Sequence, residues 1–256
     1  MALIDTKRNG AVFHISINRP EKKNALTGEM YNALAVAFEQ AEEDAGVRVI
    51  LLYGQGEAFT AGNDLEDFMK KPWKGQSVPP AVRFIRGVAG ARKPIVAAVR
   101  GLAVGIGTTI LVHCDLVYAA DDAKFMMPFI NLGIVPEAAT TVLLPMHIGW
   151  QRAAELFMLG SPISAQRAYE MGLVNAVLAP DAFLTMAVAA AQQLAEKPRG
   201  ALLACKDLMK RAHHAEVQRA LHEEVEMIAE CLESPETREA VSAFLEKRKP
   251  DFSRFG

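Results

Sequence analysis

Between Ile95 and Asp115 the chain reads IVAAVRGLAVGIGTTILVHCD, and this stretch limits the fold more than any other. An apolar run, Ile95–Val99, is followed by three glycines in seven residues (Gly101, Gly105, Gly107) and then by an apolar helical pattern. Strand, glycine turn and helix start leave backbone N–H groups unpaired at the positive end of a helix. Such a turn suits a negative group. That group is a phosphate or a developing oxyanion, unless the turn is only a tight connection.

The flanking sequence supplies the layers such a turn must sit between. Ala11–Ile17 alternates as a half-buried strand, with Phe13, Ile15 and Ile17 on one face. Thr27 is placed to cap a helix whose apolar stripe is Leu26, Met30, Leu34, Phe38 and Ala41. Val47–Tyr53 suits a strand covered on most sides, and Leu116–Ala120 a further buried strand. The pattern predicts helices over Pro79–Arg92, Ala138–Leu144 (ended by Pro145), Gln151–Leu159, Ser164–Met171 and Asp181–Glu196. From Pro198 onward there are only helices, including the stripe Val217, Leu221, Val225, Ile228, Leu232 and a Ser234–Pro235 helix start. Apolar faces without a sheet of their own must dock on the body or on another subunit.

Composition removes several classes. A net charge of −2 over 256 residues argues against a nucleic-acid binder, whose footprint is basic. Three cysteines without CxxC spacing suit reduced core thiols, and no apolar run approaches the ~20 residues of a membrane span. A cytoplasmic protein without membrane or nucleic-acid partners is expected. GxSxG, HExxH and GxxxxGK[ST] are absent, and Ile110 stands where a dinucleotide fingerprint needs its third glycine. His213–His214 lacks neighbouring ligand types, so no metal site is expected. Two glycine turns remain, Ala61–Asp64 and Gly105–Gly107, with one carboxylate in an apolar neighbourhood, Glu137. Two converging N–H donors and one base would suit proton abstraction beside a carbonyl. Spacing alone equally allows two tight turns and a helix-capping Glu137.

Ordered pieces along the chain narrow the choice. They are Asn18–Leu26 (NRPEKKNAL), Ala58–Leu65 (AFTAGNDL), Lys93–Gly101 (KPIVAAVRG), Ala103–Gly107 (AVGIG), Cys114–Asp115, Ser164–Asn175 (SAQRAYEMGLVN) and Ala243–Pro250 (AFLEKRKP). In this order the chain resembles the crotonase (enoyl-CoA hydratase/isomerase) superfamily over nearly its whole length. The resemblance implies an α/β fold: a spiral of ββα turns (residues 1–197) with CoA groove and active site, then a C-terminal helical trimerisation region (198–256). It implies an acyl-CoA thioester as substrate, no cofactor beyond the coenzyme A of that substrate, and a homotrimer or a dimer of trimers. By position the oxyanion hole would use the backbone N–H of Asn63 and Ile106. Lys22, Lys23, Ala25, Ala61, Gly62, Asp64, Leu65, Gly105 and Phe129 match segments that line the CoA and substrate groove, with Lys249 of the tail as a further basic group.

The two glutamates of the family's hydratases fall here on Thr109 and Phe129, neither of which can be a base. Glu137 instead matches the single base of the Δ3,Δ2-enoyl-CoA isomerase branch, which this chain resembles most. The resemblance thus implies a double-bond shift from 3-enoyl-CoA to 2-enoyl-CoA through a dienolate. The alternatives are a hydratase or another crotonase-type reaction, or a non-catalytic acyl-CoA-binding subunit. Met69, Trp73, Phe84 and Phe129 are candidates for an acyl tunnel or for core. A helix start after Glu137 would lower its pKa and a desolvated pocket would raise it.

Overall fold

The computed structural model describes residues 2–70 and 78–255. The hairpin β1 (Ile4–Asn9) and β2 (Val12–Ile17) is followed by α1 (Gly28–Glu43), β3 (Val49–Gly54), α2 (Leu65–Lys70) and α3 (Pro80–Gly90). Next come β4 (Ile95–Val99), β5 (Leu102–Val104), the single turn α4 (Ile106–Thr109), β6 (Leu116–Ala120) and β7 (Lys124–Met126). Helices α5 (Thr140–Ile148) and α6 (Trp150–Leu159), the short β8 (Ile163–Ser164), α7 (Ala165–Glu170), β9 (Ala176–Leu178) and α8 (Phe183–Ala195) follow. Three helices close the chain: α9 (Arg199–Arg211), α10 (His214–Cys231) and α11 (Pro235–Leu245).

The main sheet has the order β1-β2-β3-β4-β6-β9, parallel throughout except for the β1–β2 hairpin. A second sheet, β5-β7-β8, carries the glycine turn. Parallel strands need cover on both faces, and alternation along each strand provides it. Ile50, Leu52, Ile95, Ala97 and Val99 enter the large core with α1 and α3, whereas Val49, Leu51, Val96 and Ala98 face Phe183, Ala187 and Ala191 of α8. Thr27 caps α1 by accepting from the Met30 N–H, and all five residues of the stripe from Leu26 to Ala41 are buried. A cap of this kind contributes about 1 kcal/mol.

The tail docks on the body. Leu221 joins the large core, α10 packs on α5, and α11 packs on the turn Pro128–Leu132. Ser234 caps α11, accepting from the Thr237 N–H.

Two expectations are corrected. Pro145 does not end a helix; α5 begins at Thr140 and continues through it to Ile148. An interior proline costs about 3 kcal/mol, and here the burial of Leu144 and Ile148 against α6 outweighs it. The helical pattern after Gly107 gives only the single turn α4, followed by a 3-10 segment, Ile110–His113. So short a helix sums few peptide dipoles. Whatever the glycine turn offers is a local N–H rather than a macrodipole.

Candidate active site

The backbone of two loops is brought together by parallel bridges. Thr60 pairs with Ala103: the Thr60 N–H donates to the Leu102 carbonyl (2.9 Å), and the Val104 N–H to the Thr60 carbonyl (3.0 Å). Leu26 pairs with Asn63, its N–H donating to the Gly62 carbonyl (2.8 Å) while the Asp64 N–H donates to the Leu26 carbonyl (2.9 Å). In a parallel ladder this leaves the N–H of Asn63 pointing the opposite way. Gly62 makes the approach possible. It has φ +86°, and a Cβ there would lie 2.9 Å from the Val104 carbonyl oxygen.

The second donor follows the same logic. The Gly105 N–H donates to the Met126 carbonyl (2.8 Å). With φ 56° and ψ −117°, a conformation that favours glycine, the chain then turns into α4. Ile106 is the first residue of that turn, so its N–H has no intrahelical acceptor. Neither the Asn63 nor the Ile106 N–H has an acceptor among the described residues. Both residues line one cavity of about 700 Å³. The Asn63 side chain is held as well: the Tyr31 hydroxyl of α1 donates to its Oδ1.

Ala61, Gly62, Leu65, Gly105 and Phe129 line the same cavity, with Arg248 and Lys249 of the tail. No carboxylate lines it among the described residues. Arg248 is committed to Glu239 and Glu246, whereas Lys249 is exposed and has no acidic partner among the described residues. The remaining groove residues are elsewhere. Lys22 and Lys23 are exposed on the turn before α1 and do not line the cavity, although the Lys23 carbonyl accepts from the Ala61 N–H (2.9 Å). Ala25 accepts from Arg19 through its carbonyl, and the Asp64 carboxylate pairs with the Arg19 guanidinium at 2.7 Å. That hydrogen bond holds the Asp64 carboxyl below its usual range and commits it to the fold. Phe84 is core, stacked between Tyr31 and Phe38, and no tunnel residue. Trp73 and the Met69 side chain lie outside the described residues.

Glu137 lines a different, narrow cavity of about 20 Å³ between α3 and α10. Its Oε1 is buried without a hydrogen-bond partner. Burial, and next the charge of Glu224, raise its pKa to about 8. Desolvation therefore wins over any helix-end effect. The charge of Glu137 in turn adds to burial in raising the Tyr31 phenol, the group bonded to Asn63.

The pattern of the enoyl-CoA hydratase/isomerase family matches residues 7–254. The chain belongs to this family, the crotonase superfamily. One crotonase relative, a 1,2-epoxyphenylacetyl-CoA isomerase of Escherichia coli, is 36% identical over 94% of this chain and 95% of its own. A probable enoyl-CoA hydratase of Bacillus subtilis is 35% identical over 93% of each. The crystal structure of an enoyl-CoA hydratase/isomerase from Pseudoalteromonas atlantica superposes with a TM-score of 0.94 at 39% identity, covering 98% of this chain and 100% of that one. The crotonase fold is thus shown, and the protein is an acyl-CoA-processing enzyme of the crotonase type. Thr109 is fully buried, its hydroxyl unpartnered among the described residues, and Phe129 is 6% exposed against the cavity.

Three residues of this crotonase site carried no signal in the sequence. Tyr31 sits within an ordinary helical pattern, His113 ends an apolar run, and Glu224 lies in a charged helix. His113 donates from Nε2 to the Ala138 carbonyl (2.7 Å), and Glu224 binds the N–H groups of Ala139 and Thr141. Only the fold brings them to Glu137.

Proposed function

We propose that this crotonase shifts the double bond of a 3-enoyl-CoA to give the 2-enoyl-CoA, with Glu137 as the single base. The observation that carries this reading is the Glu137 carboxyl, buried, unpartnered at Oε1 and raised to about 8, on a chain with Thr109 and Phe129 at the hydratase positions. The thioester oxygen would lie between the N–H groups of Asn63 and Ile106. Glu137 would take a proton from C2, the charge would spread to the oxygen as a dienolate, and the same proton would return at C4. One proton moves and nothing else is gained or lost.

The charge of Glu137 reaches Tyr31, whose hydroxyl holds Asn63, so base and donor are linked through Tyr31 although Glu137 lines the narrow cavity and the two N–H groups line the larger one. Positioned base catalysis is worth about 10²–10⁴-fold and each oxyanion donor about 10²–10³-fold. Phe129 on the cavity wall keeps water from the dienolate. Lys249, exposed and without an acidic partner among the described residues, is the basic group for the anionic coenzyme A. Exposed apolar residues on α9, Leu208 and Met209, support a trimer or a dimer of trimers built through the tail.

The names of relatives include a hydratase as well as an isomerase, so the test presents both substrates. Purified protein is incubated separately with 3-enoyl-CoA and with 2-enoyl-CoA. Conversion of the first with negligible hydration of the second is expected. Hydration of the second without any shift in the first would overturn the isomerase reading. Binding of coenzyme A without turnover of either would favour a non-catalytic subunit.

A further inference from the structure

The turn that carries Glu137 is held from a helix 85 residues away in sequence. Ala138 and Ala139 have φ +64° and +55°, the left-handed region that alanine avoids. Ala139 is the N-cap of α5 and has no side chain to cap it. Glu224 of α10 supplies the missing acceptors. Its Oε2 accepts from the Ala139 N–H (2.6 Å), and its Oε1 from the Thr141 N–H (3.1 Å) and hydroxyl (2.6 Å). Its side chain is buried, the residue being 5% exposed, and with Glu137 it lines the narrow cavity.

We infer that Glu224 is a positioning residue, whose buried carboxylate accepts from the turn that bears Glu137 and fixes that turn with the second carboxyl in the same narrow cavity. This rests on the reading of Glu137 as the base. Two carboxylates share one apolar space, and their surroundings separate them. Burial raises Glu224 as well, but the three hydrogen bonds it accepts oppose that and favour its charged form; Glu137 Oε1 accepts none, so Glu137 takes the proton.

The other groups facing the pair do not reverse this order. Tyr31 on α1 stays protonated, its phenol raised well above the ordinary value. His113 is neutral, burial lowering it to about 4. Arg86 on α3 lines the narrow cavity but is exposed and makes no ion pair with either carboxylate. A base that must remove a weakly acidic C2 proton gains from high proton affinity. The pair supplies it with no ion pair to either carboxylate among the described residues.

Glu224→Gln and Glu224→Asp separate charge from position. The glutamine has one acceptor oxygen for donors on two sides. It should lower kcat about tenfold and move the acid limb of kcat/KM down by about one pH unit. The aspartate keeps the charge and withdraws the acceptor, so kcat should fall with the acid limb unmoved. Carbon-13 NMR of labelled glutamates follows both carboxyls in the wild-type protein, so the result stands even if a variant fails to fold. Glu137 should titrate above Glu224 and be displaced upward by its charge. Wild-type kcat and an unmoved acid limb in Glu224→Gln, or independent titration of the two carboxyls, would overturn the inference. Full turnover by Glu137→Gln would instead overturn the base, while the NMR titration still decides the coupling.

Discussion

The two sides of the site are built in opposite ways. The donor side has glycines, Gly62 and Gly105, at the positive-φ positions next to the donors, ladder hydrogen bonds on either side, and the N–H groups of Asn63 and Ile106 without an acceptor among the described residues. The base side holds alanines at positive φ, an unpartnered carboxyl, and a second buried carboxylate beside it. Each left-handed alanine costs about 1–2 kcal/mol, and the buried charge costs more. Donors to an oxyanion need only be fixed in place, because their chemistry is that of any amide. A carboxylate with a pKa of about 8 has to be made by its surroundings, at a cost in stability.

The contrast can be broken from either side. The largest effect is expected for Glu137→Gln, which should lower kcat for 3-enoyl-CoA by about 10²–10⁴-fold while coenzyme A binding, measured by calorimetry, is unchanged. Gly62→Ala comes next. Its Cβ would meet the Val104 carbonyl oxygen at a φ that alanine resists, displacing the Asn63 N–H and lowering kcat about 10²-fold.

The smallest effect is on stability, and its sign is the informative part. Glu137 ordinarily titrates at 4.5 and in the fold at about 8, so the folded state holds a proton the unfolded state has released. The Glu137 contribution to stability falls as pH rises from about 4.5 towards 8. Glu137→Gln, which carries no charge to bury, should match wild type near pH 5. By pH 9 it should exceed wild type by a few kcal/mol in urea unfolding. A variant that is inactive and yet more stable in alkali would mark the base side as the costly one.

On the donor side the two glycine turns were legible in the sequence, whereas Asn63 and Ile106 as donors were implied by the family resemblance. Gly62 and Gly105 announce their turns, and a backbone donor does not depend on its side chain, so Ile106 serves as well as glycine. The strands were equally legible, since Val49–Leu52 and Ile95–Val99 are apolar at every position and suit a sheet covered on both faces. The base side was legible only in Glu137 itself. Glu224 looks like one glutamate among several on a charged helix, and its role arises from a contact 85 residues away. Pro145 misled because a local rule met tertiary packing: Leu144 and Ile148 bury deeply enough to carry α5 past it. Lys22 and Lys23 form a basic cluster that is exposed near the donor loop and does not line the cavity.

The central claim is that a buried carboxyl with a pKa of about 8 removes the C2 proton. Its most direct test is the pH dependence of kcat/KM for 3-enoyl-CoA between pH 6 and 9.5. With Glu137 as base, the value rises about tenfold per pH unit, levels off above about pH 8, and loses this limb in Glu137→Gln. A flat profile across that range, or a limb unchanged in Glu137→Gln, would contradict it.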